Sequence, residues 1–540
     1  MKNSKKHLVL SCLVLVIMFL SSVKANAKFI VANSSNYTNF LTALVSGDTL
    51  YLSAGIYKNS LTLNGVNGIA ASPIVIMGSA SLYSTIFQAQ VCCNTVSITK
   101  CSYLTIKNMQ LDGQNIAVDA VKAEGTVGNF AHHITLEYLN IINYGNNQNT
   151  VAISTKCSAW DWIIRKNRIL GAGTGLYLGN SDGTRPFVNG LIENNYIANT
   201  IGYNVEIKHQ FNGVRDSFPE TKVDGKTTIC YNVFTKDSSS SFAANARPNL
   251  LVGGFPTIGW GAKDRYEIYG NFFYNNPVEA LFQGTGNISI YHNIFVNHFD
   301  PIGFRALYIA PQNGVSPQDI KVFQNTIWVA NSSGGLRLYN PNTSFNQYCY
   351  ANAVFASQPI TNFVDSLNNI TSDYQSAGNY VLSANTSLAM LDLYPQSGKL
   401  KGSFTPSAVL QNSSQWDKDF NNNIFDWSYR GAYSGCCINP GWHLKLDTIP
   451  SSTLLYNAIK ATYKNTKLFL IFPNPSNANL HLLAVSSSEA EITDLYGNIV
   501  KQFDVREGDN ILNLDLLTSG VYFIRINSAT GTQTLKWTKQ

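Results

Sequence analysis

Apolar and polar positions recur in one short pattern along the middle of the chain. It consists of an apolar residue, two variable residues, an asparagine, one further residue and a second apolar residue. The pattern runs Ile164 to Ile169, Ile192 to Ile197, Ile229 to Phe234, Ile268 to Phe273, Ile290 to Phe295, Val322 to Ile327 and Cys349 to Val354. Asn167, Asn195, Asn232, Asn271, Asn293, Asn325 and Asn352 hold one register, spaced by 28, 37, 39, 22, 32 and 27 residues. A near-constant unit with insertions of variable length is what stacked coils carrying loops produce. Leu139 and Met109 take the asparagine position in two preceding units.

Between the asparagines, alternating β-branched and aromatic runs meet at turns without a helical period, so each unit is strand and turn. The expected fold is all-β, a parallel solenoid. Coils stacked ~4.8 Å apart would superpose the asparagines, letting their amides bond up and down the stack. Asparagine also tolerates a left-handed corner. These seven residues are therefore read as holding the fold rather than touching a ligand.

The termini carry different signals. Lys2, Lys5 and Lys6, the apolar run Leu8 to Leu20, and Ala25-Asn26-Ala27 predict a secretory leader over residues 1–27. Ser35 is expected to cap a short helix whose Phe40, Leu41 and Leu44 cover the first coil. The solenoid is expected over residues 28–440, a linker over 441–465, and a second module over 466–540.

Composition narrows the class. With 45% hydrophobic and only 13% charged residues, the chain can bury a long core and is not disordered. Four of the 38 basic residues lie in the leader, leaving 34 against 32 acidic, so no nucleic-acid partner is implied. Eight cysteines follow the leader without CxxC spacing; Cys230 and Cys349 fall at strand positions and read as core, and no cysteine metal cluster is expected.

Gly47-Asp-Thr-Leu-Tyr-Leu52, Gly55-Ile-Tyr57, Pro73-Ile-Val-Ile76 and Leu104-Thr-Ile106 open the solenoid, and Asp419-Phe-Asn421 with Arg430-Gly-Ala-Tyr433 closes it. These phrases resemble secreted right-handed parallel β-helix proteins of the pectate lyase-like superfamily, including the chondroitinase-B and alginate lyase group. In Phe472-Pro-Asn-Pro475, Asp494-Leu-Tyr-Gly497, Leu517-Thr-Ser-Gly-Val-Tyr522, Lys536 and Lys539, the second module resembles the type A C-terminal sorting domain of the type IX secretion system. That resemblance implies a small β-sandwich, a bacterium of the Bacteroidota, contact with the secretion machinery and delivery across the outer membrane.

Chemistry must come from outward residues of the solenoid. The rows Val151 to Ser154, Leu176 to Gly179, Val205 to Lys208, Leu250 to Gly253, Ala280 to Gln283 and Leu336 to Tyr339 follow the asparagine corners. Alternation points Glu206 and Lys208 outward. The loops Asn180 to Gly190, His209 to Lys226 and Gly254 to Arg265 are expected to wall a groove around Lys208, bringing Arg185, Arg215 and Trp260 to it. Lys208, its pKa lowered by neighbouring positive charge, is the expected base of a lyase acting on an acidic glycan, with Arg247 stabilising the carbanion. Glu206, Tyr177, Arg185, Arg215, Trp260, Gln283, Arg337 and Tyr339 are the expected substrate contacts. The resemblance raises one cofactor, calcium, with Asp182, Glu206 and Asp216 as candidate ligands.

Other chemistries fit less well. Gly179-Asn-Ser181-Asp-Gly183 matches GxSxG but lies in a solenoid loop, not at a strand-to-helix elbow. His132 and His133 are strand neighbours and are expected to face opposite sides, so joint metal ligation is not predicted. The phrase beginning at Asp417 departs from a calcium loop at Asn422 and Ser428 and reads as a turn. The alternatives are a hydrolase using a carboxylate pair such as Glu206 with Glu279, or a non-catalytic adhesin binding glycan through Tyr177, Trp260 or Tyr339. A monomer is expected.

Overall fold

The computed structural model describes residues 27–449 and 469–539, apart from 80, 127, 331, 404, 473–478, 485, 486, 507, 529 and 530. The expected leader up to Asn26, most of the linker and Pro473 to Pro475 lie outside the described residues. The chain forms two compact units that divide between Ile449 and Pro450. Among the described residues no helix is long and apolar enough to cross a membrane.

The first unit is a parallel β-helix. Two inward columns explain why these sequences stack. Leu136, Ile164, Ile192, Ile229, Ile268, Ile290, Val322 and Cys349 sit in register on successive coils. Across the corner, so do Ile141, Ile169, Ile197, Phe234, Phe273, Phe295, Ile327 and Val354. All are fully buried. Each apolar side chain thus rests on its equivalents above and below, so a coil cannot bury its face without its neighbours. Another face is an eleven-stranded parallel sheet from Leu61–Asn64 to Gln358–Thr361, ~48 Å long at ~4.8 Å per coil.

The seven asparagines form one buried column at the corner between the two apolar columns. Each Nδ2 donates to the Oδ1 of the next, at 2.9 to 3.0 Å, from Asn167 through Asn352. Asn352 continues the series to an eighth rung, Asn369, at 2.9 Å. At the lower end Leu139 donates its backbone N–H to Asn167 Oδ1, which confirms its place in the register. The left-handed corner residue is not the asparagine but the one before it: Lys166, Asn194, Tyr231, Gly270, His292, Gln324, Ala351 and Asn368 all have φ between 51° and 65°.

The row register differs from expectation at one coil. Phe282–Gly284 pairs with Leu250–Val252, so Ala280 and Leu281 are taken up by the turn in which Asn276 Oδ1 accepts the Val278 and Glu279 N–H groups. The strand Arg305–Ile309, absent from the expected rows, lies next. At the N-terminal end Ser35 caps nothing: the cover is two 3₁₀ turns, Tyr37–Asn39 and Leu41–Ala43, without side-chain caps. Leu41 and Leu44 are still buried, and Phe40 packs partly buried against the core. Cys92 and Cys93 are joined by a disulfide, whereas Cys101, Cys157, Cys230 and Cys349 are free and buried.

The second unit is antiparallel, with sheets of three and four strands. Leu480, Leu482, Ile492, Ile524, Ile526 and Trp537 make its core.

Candidate functional site

Along the eleven-stranded sheet one residue per coil turns away from the core. In order these are Thr62, Ser97, Lys122, Ser154, Tyr177, Glu206, Leu251, Gln283, Tyr308, Arg337 and Thr361. A groove of about 710 Å³ lies over the first part of this column. Its lining includes four cations, Lys122, Lys156, Lys208 and Arg247, two acids, Asp119 and Glu206, and the rings of Tyr177 and Tyr203.

Lys156 and Lys208 each follow directly on a strand of this sheet, two coils apart, with Gly179 in the equivalent position between them. Gly179 has φ +87°, and a Cβ there would stand 3.2 Å from the Lys208 Cβ. With no side chain intervening, both lysines reach the Tyr177 ring: Lys156 Nζ is 3.3 Å and Lys208 Nζ 5.0 Å from its centroid.

Their electrostatics diverge. Lys208 Nζ lies 2.5 Å from Glu206 Oε1. Burial is the largest single influence and opposes its charge, but the Glu206 carboxylate and the Tyr177 hydroxyl together raise the Lys208 pKa above its ordinary value. This overturns the expectation of a lowered Lys208 pKa. Lys156 has no ion pair among the described residues. Burial pushes its pKa down to about 8, with Lys122 and Lys208 adding to the effect and Asp119 opposing it. The expected row ended at Ser154, whereas the strand continues through Thr155, and so the lysine that follows it was missed.

Arg247 precedes its strand, Leu250–Val252, and therefore lies at the opposite margin from Lys208 rather than in a matching place. Its guanidinium carbon is 5.7 Å from the Tyr203 ring centroid, and Nη1 donates to the Ala246 and Ala244 carbonyls at 2.6 and 3.2 Å. The Arg247 carbonyl in turn accepts from Ser241 Oγ, Asn276 Nδ2 and Lys236 Nζ at 2.7, 2.9 and 3.1 Å. Lys236 is fully buried, and burial drives its pKa well down.

The remaining expected residues separate. Arg215 is fully buried and pairs with Asp264 at 2.5 Å, so it braces its own loop and does not face substrate. Arg185 donates to the Gly125 and Lys156 carbonyls, holding backbone beneath the groove. Trp260 is exposed but does not line the groove. Gln283 and Arg337 line a second depression of about 340 Å³ with Glu279, Arg305 and Tyr308, farther along the same face. Arg337 lies 5.5 Å from the exposed Tyr339 ring. Glu206 and Glu279 thus fall in different depressions, and Glu279 Oε2 accepts from Gln283.

The candidate calcium ligands do not form a set. Glu206 is engaged by Lys208, and Asp182 accepts from the N–H and hydroxyl of Thr184 at 2.9 and 2.6 Å. Asp216 is exposed on the loop that Arg215 braces. These residues do not fit a bound calcium ion.

Residues 470–540 match the Secretion system C-terminal sorting domain. The chain is thereby marked for type IX secretion to the cell surface or extracellular space. No curated protein matches the chain. Among solved structures it is similar to an alginate lyase from Paenibacillus sp. str. FPU-7, at 14% identity and TM-score 0.40, covering 62% of this chain and 97% of that one. A PL6 family polysaccharide lyase from Pseudopedobacter saltans matches at 10% identity and TM-score 0.33, over 70% and 97%. A GH136 lacto-N-biosidase from Eubacterium ramulus matches at 11% identity and the same TM-score of 0.33, over 64% and 68%. Likeness at this level, to lyases and a hydrolase alike, carries no activity across to this chain.

Proposed function

We propose that the groove binds an acidic polysaccharide and cleaves it by β-elimination beside a uronate carboxylate. The observation that carries this reading is Lys156, an amine without an ion pair among the described residues, whose pKa is lowered to about 8 and which is placed among three other cations. Lys156 takes the proton from the carbon bearing the carboxylate. Lys208 and Arg247 neutralise the carboxylate as negative charge develops on it. The electron pair then forms the double bond as the bond to the leaving glycosidic oxygen breaks. Tyr177, whose pKa is raised by burial, keeps its hydroxyl proton and gives it to that oxygen. The products are an unsaturated uronate and a free hydroxyl, with no water consumed.

The leader at residues 1–27 carries the chain through the inner membrane, and the sorting domain carries it across the outer one. Screening the purified chain on uronic-acid polysaccharides for ultraviolet absorbance of the unsaturated product tests the reading. New reducing ends without that absorbance would indicate a hydrolase. Binding without cleavage would indicate an adhesin.

A further inference from the structure

His132 and His133 do not face opposite sides of their strand. His133 has φ +53°, as do its neighbours in the corner column, Tyr103 at +50° and Asp161 at +56°. Each departs from strand alternation at the same corner, and at His133 the left-handed residue swings the ring round to the side of His132. The two Nδ1 atoms come within 2.8 Å of each other. A third group arrives from a distant part of the chain: Glu220, on the 3₁₀ turn Pro219–Thr221, places Oε2 3.5 Å from His132 Nδ1.

We infer that His132, His133 and Glu220 form a binding site for one divalent ion of the zinc class. One ligand atom from each lies within 4.8 Å of the other two. Two imidazole nitrogens and one carboxylate oxygen are a borderline donor set that suits zinc and leaves a fourth position for water. Zinc bonds of ~2.1 Å in a tetrahedron hold ligand atoms about 3.4 Å apart. His132 and Glu220 are already near that separation at 3.5 Å, His133 and Glu220 lie within 4.8 Å, and the histidine pair needs to open by roughly 0.6 Å on the same geometry. His133 sits at a half-exposed corner, where so small a shift meets little resistance.

The surroundings orient the donors. Asp161 Oδ2 is 3.4 Å from His133 Nε2, so a proton held on Nε2 leaves Nδ1 free to ligate, the usual carboxylate–histidine arrangement behind a metal. Trp160 stacks on His132 at 4.5 Å with planes 3° apart, and its Nε1 donates to Glu220 Oε2 at 2.9 Å. Arg215 Nε donates to the carbonyl of Thr221, adjacent to Glu220, at 2.8 Å. The ion would clasp loop 209–226, which leaves the groove after Lys208, onto the coils that carry His132 and Trp160. The site is independent of the chemistry proposed for the groove.

The test uses the full chain stripped with EDTA and titrated with Zn²⁺ by calorimetry, and with Co²⁺ by visible absorption. One equivalent should bind, with the strong visible bands of tetrahedral cobalt, and Zn²⁺ should slow proteolysis within loop 209–226. Glu220→Gln and His133→Gln should each weaken binding by about 10-fold or more, while the metal-free variants melt at the wild-type temperature. Glu220 is exposed, so its variant keeps the test open should a histidine substitution disturb the fold. Less than one equivalent bound by the wild type, or the same affinity in both variants, overturns the proposal.

Discussion

Asn232→Ala probes the interior of the asparagine column, where Asn232, Asn271, Asn293 and Asn325 are bonded alike. The side chain makes five hydrogen bonds. Nδ2 donates to Asn271 Oδ1, Ile192 O and Cys230 O at 3.0, 2.9 and 3.0 Å, and Oδ1 accepts the backbone N–H and side-chain Nδ2 of Asn195, both at 2.9 Å. All lie in a fully buried corner, so water cannot replace them, and at about 1 kcal/mol net per bond the loss is about 5 kcal/mol. Asn167, near the end of the column, makes three such bonds, to Leu139 N, Leu136 O and Asn195 Oδ1. Asn167→Ala should therefore cost about 3 kcal/mol by the same arithmetic. Urea unfolding of the full chain, read at the transition of the β-helix, measures both through the midpoint at constant slope. An Asn232→Ala cost below about 1 kcal/mol, less than a single ordinary hydrogen bond, would show that the column does not hold the fold. An equal cost for the two variants would show that bonds along the column do not add.

Lys156→Ala should lower turnover of a cleaved polysaccharide by ~100-fold or more, the usual range for a lost general base, with little change in melting temperature. For the wild type, only the deprotonated amine can accept the proton, so kcat/KM should rise with pH and level off above about 8; a profile flat from pH 6 to 10, a span that brackets that value, would place the base elsewhere. Asp264→Ala leaves the Arg215 guanidinium buried without its partner and should cost about 3 kcal/mol, seen as faster proteolysis within loop 209–226. Trp260→Ala should leave affinity for the groove ligand unchanged, because the side chain does not line the groove. Deleting residues 470–540 should stop surface delivery while leaving the circular dichroism of the β-helix intact, since that unit has its own core.

The solenoid was legible in the sequence because a stacked fold repeats its own environment. Each coil meets the same neighbours above and below, so the same apolar spacing and the same buried amide are required in every unit, and the period survives loops of any length. The sorting module was legible because its phrases fall close together in the chain. By contrast, the groove depends on where loops end and which backbone positions are left-handed. Lys156 and Lys208 share one space only because Gly179 lies between them without a side chain, and their different pKa values follow from a 2.5 Å contact with Glu206 that one lysine has and the other lacks. Arg215 looked like a free cation until Asp264, 49 residues away, was brought against it. His132 and His133 were placed on opposite faces by strand alternation, a local rule, and the positive φ of His133 together with Glu220 from a later loop reversed that placement. Repetition writes the fold into each short segment of chain, whereas the charge and ligand environment of a side chain is set by residues that only folding brings near it.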